Sequence, residues 1–106
     1  MIEIKIFSCQ DEKITGFKVT GHSGTAVRGE DVVCAGVSSL TQTALLGLGE
    51  YLHRDLDYSV ASGKLSMKLG CAPDSLTEAI LQTMLLGLIE IEKLSPKAVR
   101  ISRQRR

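Results

Sequence analysis

At 106 residues with 43% hydrophobic content, the chain is long enough for one domain with a real core and too apolar for a disordered one. There is no Trp and there are only two Phe and two Tyr, so that core must be aliphatic. Thirteen Lys and Arg against twelve Asp and Glu give a net charge of +1, which leaves the molecule as a whole no strong pull on nucleic acid or membrane.

The N-terminus alternates Ile2, Ile4 and Ile6 with Glu3 and Lys5. That is the pattern of a half-buried strand over residues 2 to 8, not of a secretory leader. Gln10 to Lys13 reads as a polar turn and Ile14 to Thr20 as a second strand, closing a hairpin. Residues 21 to 31, GHSGTAVRGED, have three glycines and no periodicity and form a loop. From Val32 the spacing becomes helical, with Val33, Val37, Leu40, Ala44 and Leu48 as the inner stripe of a helix running to about His53. Asp31 is expected to cap it.

Tyr58 to Ala61 and Leu65 to Leu69 flank Ser62-Gly63 and predict a second hairpin. Ser75 and Glu78 are spaced for a capping box that opens a second helix. Its expected inner stripe is Leu76, Ile80, Met84, Gly87, Ile91 and Leu94, ending at Pro96. Lys97 to Ile101 would add a last short strand. The order is ββαββαβ, an α/β (α+β) domain spanning 1–106, with a mostly antiparallel sheet packed with two helices. Both helices are apolar beyond one stripe, at Leu45, Leu46, Leu85, Leu86 and Ile89, which suggests burial in a homodimer. No stretch is expected to reach the roughly 20 apolar residues of a membrane span.

Cys9, Cys34 and Cys71 are odd in number and widely spaced, unlike a disulfide framework, and a reducing cytoplasm suits them better. Neither CxxC nor HxxxH occurs among the cysteines and histidines, so no metal site and no cofactor is expected. Gly21, Gly24 and Gly29 match neither phosphate-binding fingerprint. Cys34 falls on the predicted first turn of the helix, where free N–H groups and the helix dipole favour thiolate over thiol. His22 ends the second strand at the mouth of the loop that leads to that helix. A neutral imidazole there could take the thiol proton and later return it to a leaving amine. Asp31 and Ser38 lie three before and four after Cys34, on its helical face, each able to assist the pair or serve only locally. Ten residues at the C-terminus, Lys97 through Arg106, include five cations that could hold RNA phosphates, but a solvated tail is the preferred reading. Direct nucleic-acid binding is therefore not expected.

The run Gly21-His22, followed by Gly29-Glu30-Asp31-Val32-Val33-Cys34-Ala35, resembles the signature of the ribosomal-processing cysteine protease family, often called Prp. The likeness extends to the chain's length, its element order and a helix opening with the cysteine. It implies a homodimeric bacterial endopeptidase with His22 and Cys34 as catalytic pair and Asp31 and Ser38 as accompanying positions. Its implied substrate is a ribosomal protein precursor: large-subunit protein twenty-seven, cut after an aromatic-rich stretch and before small residues. Ser23 and Gly36 stand where the family usually has Ala. With its glycines at Gly21, Gly24 and Gly29, the loop from Ser23 to Glu30 is expected to close over the substrate as a lid.

Overall fold

The computed structural model describes residues 1–21 and 30–106, with only the backbone of Glu30 and Asp31. Strands β1 (Ile2–Ser8), β2 (Ile14–Thr20), β3 (Leu56–Ala61), β4 (Lys64–Leu69) and β5 (Val99–Arg105) form one sheet in the order β3-β4-β2-β1-β5. Three of the pairings are antiparallel and β1 with β5 is parallel. Helices α1 (Glu30–Leu46) and α2 (Ser75–Leu94) lie together on one face. This is the mostly antiparallel ββαββαβ fold that the hydrophobic pattern predicts.

Alternation builds the core. Ile2, Ile4 and Ile6 of β1 share a face with Phe17 and Val19 of β2, Leu65 and Met67 of β4 and Val99 of β5, all buried. Val37 and Ala44 of α1, with Leu48 just after it, close the core from one helix, and Leu81, Met84, Leu85 and Leu88 close it from α2. Thr41 is buried among them and satisfies its hydroxyl by donating to the Val37 carbonyl at 2.8 Å.

Several expectations need correction. The α2 stripe meeting the sheet is Thr77, Leu81, Met84, Leu85 and Leu88, while Leu76 and Leu94 are exposed. Of the predicted stripe, Met84 does join the core, whereas Ile80, Gly87 and Ile91 belong to the contact between the helices. A Cβ on Gly87 would meet Leu40 Cδ1 at 2.9 Å, one on Gly36 would meet Ile91 Cδ1 at 3.2 Å, and one on Gly47 would meet Ile80 Cδ1 at 3.2 Å. These pairs run in opposite directions along the chain, so the helices pack antiparallel. Each helix thus needs two apolar stripes, one for the sheet and one for its neighbour.

The α2 cap is Asp74, not Ser75. Its carboxylate accepts from the N–H groups of Leu76 and Thr77 at 3.0 Å, and Thr77 Oγ1 accepts from the Asp74 N–H at 2.9 Å. Glu78 reaches across the fold to accept from the Ile14 N–H at 2.9 Å. At the other end, α1 does not continue regularly to His53: Gly47–Tyr51 widen into a π-helical turn. The Leu52 N–H then bonds to the Gly47 carbonyl at 3.0 Å, and His53 takes φ 55° to leave the helix. The C-terminal residues do not form a tail; seven of them pair with β1 as an edge strand.

The segment Val32–Tyr51 is also long and apolar enough to cross a membrane by length and composition alone, which the sequence was not expected to contain. In this fold its inner side packs on the sheet and α2. Outward, Val32, Leu46 and Tyr51 stay exposed, as does Leu86 of α2.

Candidate active site

The two ends of the expected site are carried by different elements, the exit of β2 and the start of α1. β2 finishes at Thr20 and turns at Gly21, whose N–H donates to the Gly63 carbonyl at 3.0 Å. Gly21 has φ +97°, and a Cβ there would fall 2.2 Å from the Met1 carbonyl oxygen. A side chain is excluded both by conformation and by space. This glycine fixes how the chain leaves the sheet toward residue 22.

The start of α1 is placed by the packing of the two helices. Gly36 faces Ile91 near the end of α2. From there the chain passes through Ser95 to Ala98, whose carbonyl accepts from the Ile2 N–H at 2.8 Å. Met1, beside Ile2, touches Gly21. The beginning of α1 thus packs beside the end of α2, which leads into β5 next to the start of β1, and the start of β1 touches the end of β2.

Cys34 is half-buried in α1 and packs against the core cluster. Its place differs from expectation in one respect. The helix already begins at Glu30, so Asp31 stands inside the first turn, not ahead of it as a cap, and Cys34 opens the second turn. The Cys34 N–H is then an ordinary intrahelical donor to the carbonyl of Glu30, and the free N–H groups belong to the turn before it. Since the dipole's influence falls off within the first turn, Cys34 gains less from it than first-turn placement implies. Helical side chains lean toward the N-terminal turn, which restores part of that influence to a cysteine one turn in. Ser38 follows one turn later on the same face and is half-buried. His22, Ser23, Gly24 and Gly29, and with them the expected lid, lie outside the described residues, as does the side chain of Asp31.

The remaining thiols have other surroundings. The Cys9 thiol donates to the Asp11 carboxylate in the β1–β2 turn, and that bond is the main reason the Asp11 carboxyl sits below its usual range. Cys71 is exposed just past β4. Of the two histidines, His53 lies beyond the π-helical turn that follows α1, and the α-helical stretch from Cys34 to Leu46 alone spans roughly 18 Å at 1.5 Å per residue. It cannot exchange a proton with that thiol directly.

Residues 1–100 match the family model described as cysteine protease Prp. The ribosomal processing cysteine protease Prp of Staphylococcus aureus (strain Mu50 / ATCC 700699) is 29% identical over 105 residues, covering 96% of this chain and 98% of that protein. The crystal structure of an essential ribosomal processing protease Prp from S. aureus in complex with a substrate peptide superposes with a TM-score of 0.91 at 24% identity. That match covers 98% of this chain and 100% of the other. SMU.848 from Streptococcus mutans superposes with a TM-score of 0.88 at 21% identity, covering 100% of this chain and 96% of the other. At these identities the structural likenesses establish the fold.

Proposed function

The chain belongs to the cysteine protease Prp family, and from that premise we propose that it removes the short N-terminal extension of large-subunit ribosomal protein twenty-seven, with Cys34 as nucleophile and His22 as general acid and base. The residue assignment is supported by a relay of contacts that runs from the start of α1 through the end of α2 and the start of β1 to the β2 exit at Gly21, and the two groups are proposed to meet at that edge. His22 follows Gly21 directly in the chain, and His53 is too distant to substitute.

The chemistry follows from these two groups. His22 takes the Cys34 proton; the thiolate attacks the scissile carbonyl carbon, and the C=O π pair moves onto oxygen. When the tetrahedral adduct collapses, the C–N bond breaks and the imidazolium delivers its proton to the leaving amine. Water, deprotonated by His22, then cleaves the thioester and regenerates the thiol. Because Cys34 stands in the second turn, the imidazole supplies more of its activation than the helix dipole does. Oxyanion donors come from the free N–H groups of the first turn. Ser38 or Asp31 assists His22 or the substrate from the same helical face.

Around this edge Met1, Val32 and Leu94 are all exposed, Leu94 by 85%. They offer apolar area to a peptide rich in aromatic residues. A shallow groove of about 510 Å³, lined by Leu40, Ala44, Gly47, Tyr51, Ile80 and Met84, lies along the outer side of the helix pair. A second copy in the cytoplasm covers this apolar surface, making a homodimer; sedimentation showing monomer alone at micromolar concentration would remove that part of the reading.

The direct test incubates the protein with peptides spanning the N-termini of ribosomal proteins and reads products by mass spectrometry. One cut in the protein twenty-seven peptide, abolished in Cys34→Ser and in His22→Ala, is the expected outcome. Alkylation of Cys34 that begins only in the ordinary thiol range near ~8.5 would count against an activated pair.

A further inference from the structure

The sheet has two faces, and among the described residues no helix covers the second. Register places Lys5, Lys18, Lys64, Lys68 and Arg100 on that open face, with Glu3 and Asp57 the acidic groups there among the described residues. Arg106 joins them, its guanidinium lying 4.0 Å from the centroid of the Phe7 ring. Six cations against two carboxylates give the face a net charge of +4. Six cations and eight carboxylates remain among the other described residues, a net of −2. The nearly neutral total conceals a molecule polarised across its sheet.

We propose that this open face binds single-stranded RNA through its phosphodiester backbone. Clustered cations on a flat, solvent-facing sheet lower the free energy of a polyanion by releasing its condensed counterions. Phe7 and Arg106 form a stacked platform beside a depression of about 410 Å³ that Lys18, Ser66 and Lys68 also line. Such a platform takes the flat face of an unpaired base, whereas no helix or ribbon among the described residues projects from this side to enter a duplex groove. Hydroxyls of Ser59, Ser66 and Ser102 share one cross-strand row with Lys18 and Lys5, where they can meet ribose hydroxyls. A second copy of the chain is a poor occupant, because a two-fold interface would set +4 against +4.

RNA binding on this face does not depend on the proteolytic reading. Cys34 lies in the helix layer on the opposite side of the sheet, so RNA and a peptide substrate can be held together. Ordinary net-charge reasoning from sequence, which argues against nucleic-acid binding, averages the two sides away.

The test is fluorescence anisotropy of a labelled single-stranded RNA oligonucleotide of mixed sequence, titrated with the full chain over a range of salt. The combined variant Lys5→Gln, Lys18→Gln, Lys64→Gln and Lys68→Gln should weaken binding on the order of 100-fold at low salt. Its plot of log K against log salt should flatten by about 3, at ~0.7 for each single-strand phosphate no longer neutralised. Removing four cations elsewhere, at Lys13, Lys93, Lys97 and Arg103, should change affinity by about twofold or less, since those charges are screened from the face. Circular dichroism checks that both variants fold; these side chains are not part of the core. The proposal is overturned by no binding of wild type at low salt, by equal losses in the two variants, or by tighter binding of an RNA duplex than of the single strand. Binding to phosphatidylglycerol vesicles without binding to RNA would overturn it equally.

Discussion

The opening turns of the two helices carry different kinds of side chain. At α2 the chain satisfies its own helix end: Asp74 accepts from Leu76 and Thr77, Thr77 returns a bond, and Arg54 Nη1 closes on Asp74 Oδ2 at 2.6 Å. Glu78, one turn in, ties the helix to β2 through the Ile14 N–H. At α1 the corresponding stretch carries a half-buried thiol, the group proposed as nucleophile. A helix N-terminus is a reservoir of N–H donors and partial positive charge. The difference teaches that this resource serves either architecture or chemistry: the polar groups at α2 consume it, while at α1 it faces the group proposed to react.

That contrast can be broken by experiment. Cys34→Ser at α1 should cut peptide cleavage by a factor on the order of 10⁴ or more while leaving thermal unfolding nearly unchanged. A parallel loss of stability would make Cys34 a packing residue. The reverse holds at α2, where Asp74→Ala should lower Tm by a few degrees and leave cleavage intact. The Thr77 N–H first, and Arg54 next, hold the Asp74 carboxyl below the usual aspartate value. Its folded pKa is depressed, so its contribution is complete above about pH 4, the unfolded aspartate value. The contribution fades as pH falls through the lower folded value. Urea midpoints for wild type and Asp74→Ala should therefore differ at pH 6 and converge in strong acid.

Glu78→Ala removes the acceptor of the half-buried Ile14 N–H and should cost about 1–2 kcal/mol in urea unfolding, again without effect on catalysis. Gly36→Ala is the mildest change. Its Cβ would meet only the flexible end of Ile91 at 3.2 Å, and Ala gains about 1 kcal/mol of helix propensity over Gly. A small rise in Tm is expected. A large fall would mean that the helix pair cannot yield at that point.

How far could the residues alone be read? Period-two alternation fixed β1 and β2 to the residue, and Ser62-Gly63 located the second hairpin, where Gly63 takes φ 73°. Both helices followed from their 3.6-residue periodicity, and the family followed from the Gly21-His22 and Glu30 to Ala35 motif. These are short-range signals: each depends on a few neighbours along one chain segment.

Long-range contacts decided the remainder. Ser75 and Asp74 are both competent caps, and the choice fell to Asp74 because Arg54 pairs with it and Ile14 draws Glu78 away. α2 has two apolar stripes, and periodicity cannot say which one meets the sheet and which meets α1. The basic C-terminus looked like a tail until β1 offered it a strand partner. Charge shows the same division. A sequence determines how many cations there are, but only the pairing of β1, β2, β4 and β5 puts five of them on one face, where Arg106 joins them over Phe7. Composition is a sum over residues, whereas binding depends on which of them the backbone hydrogen bonds hold side by side.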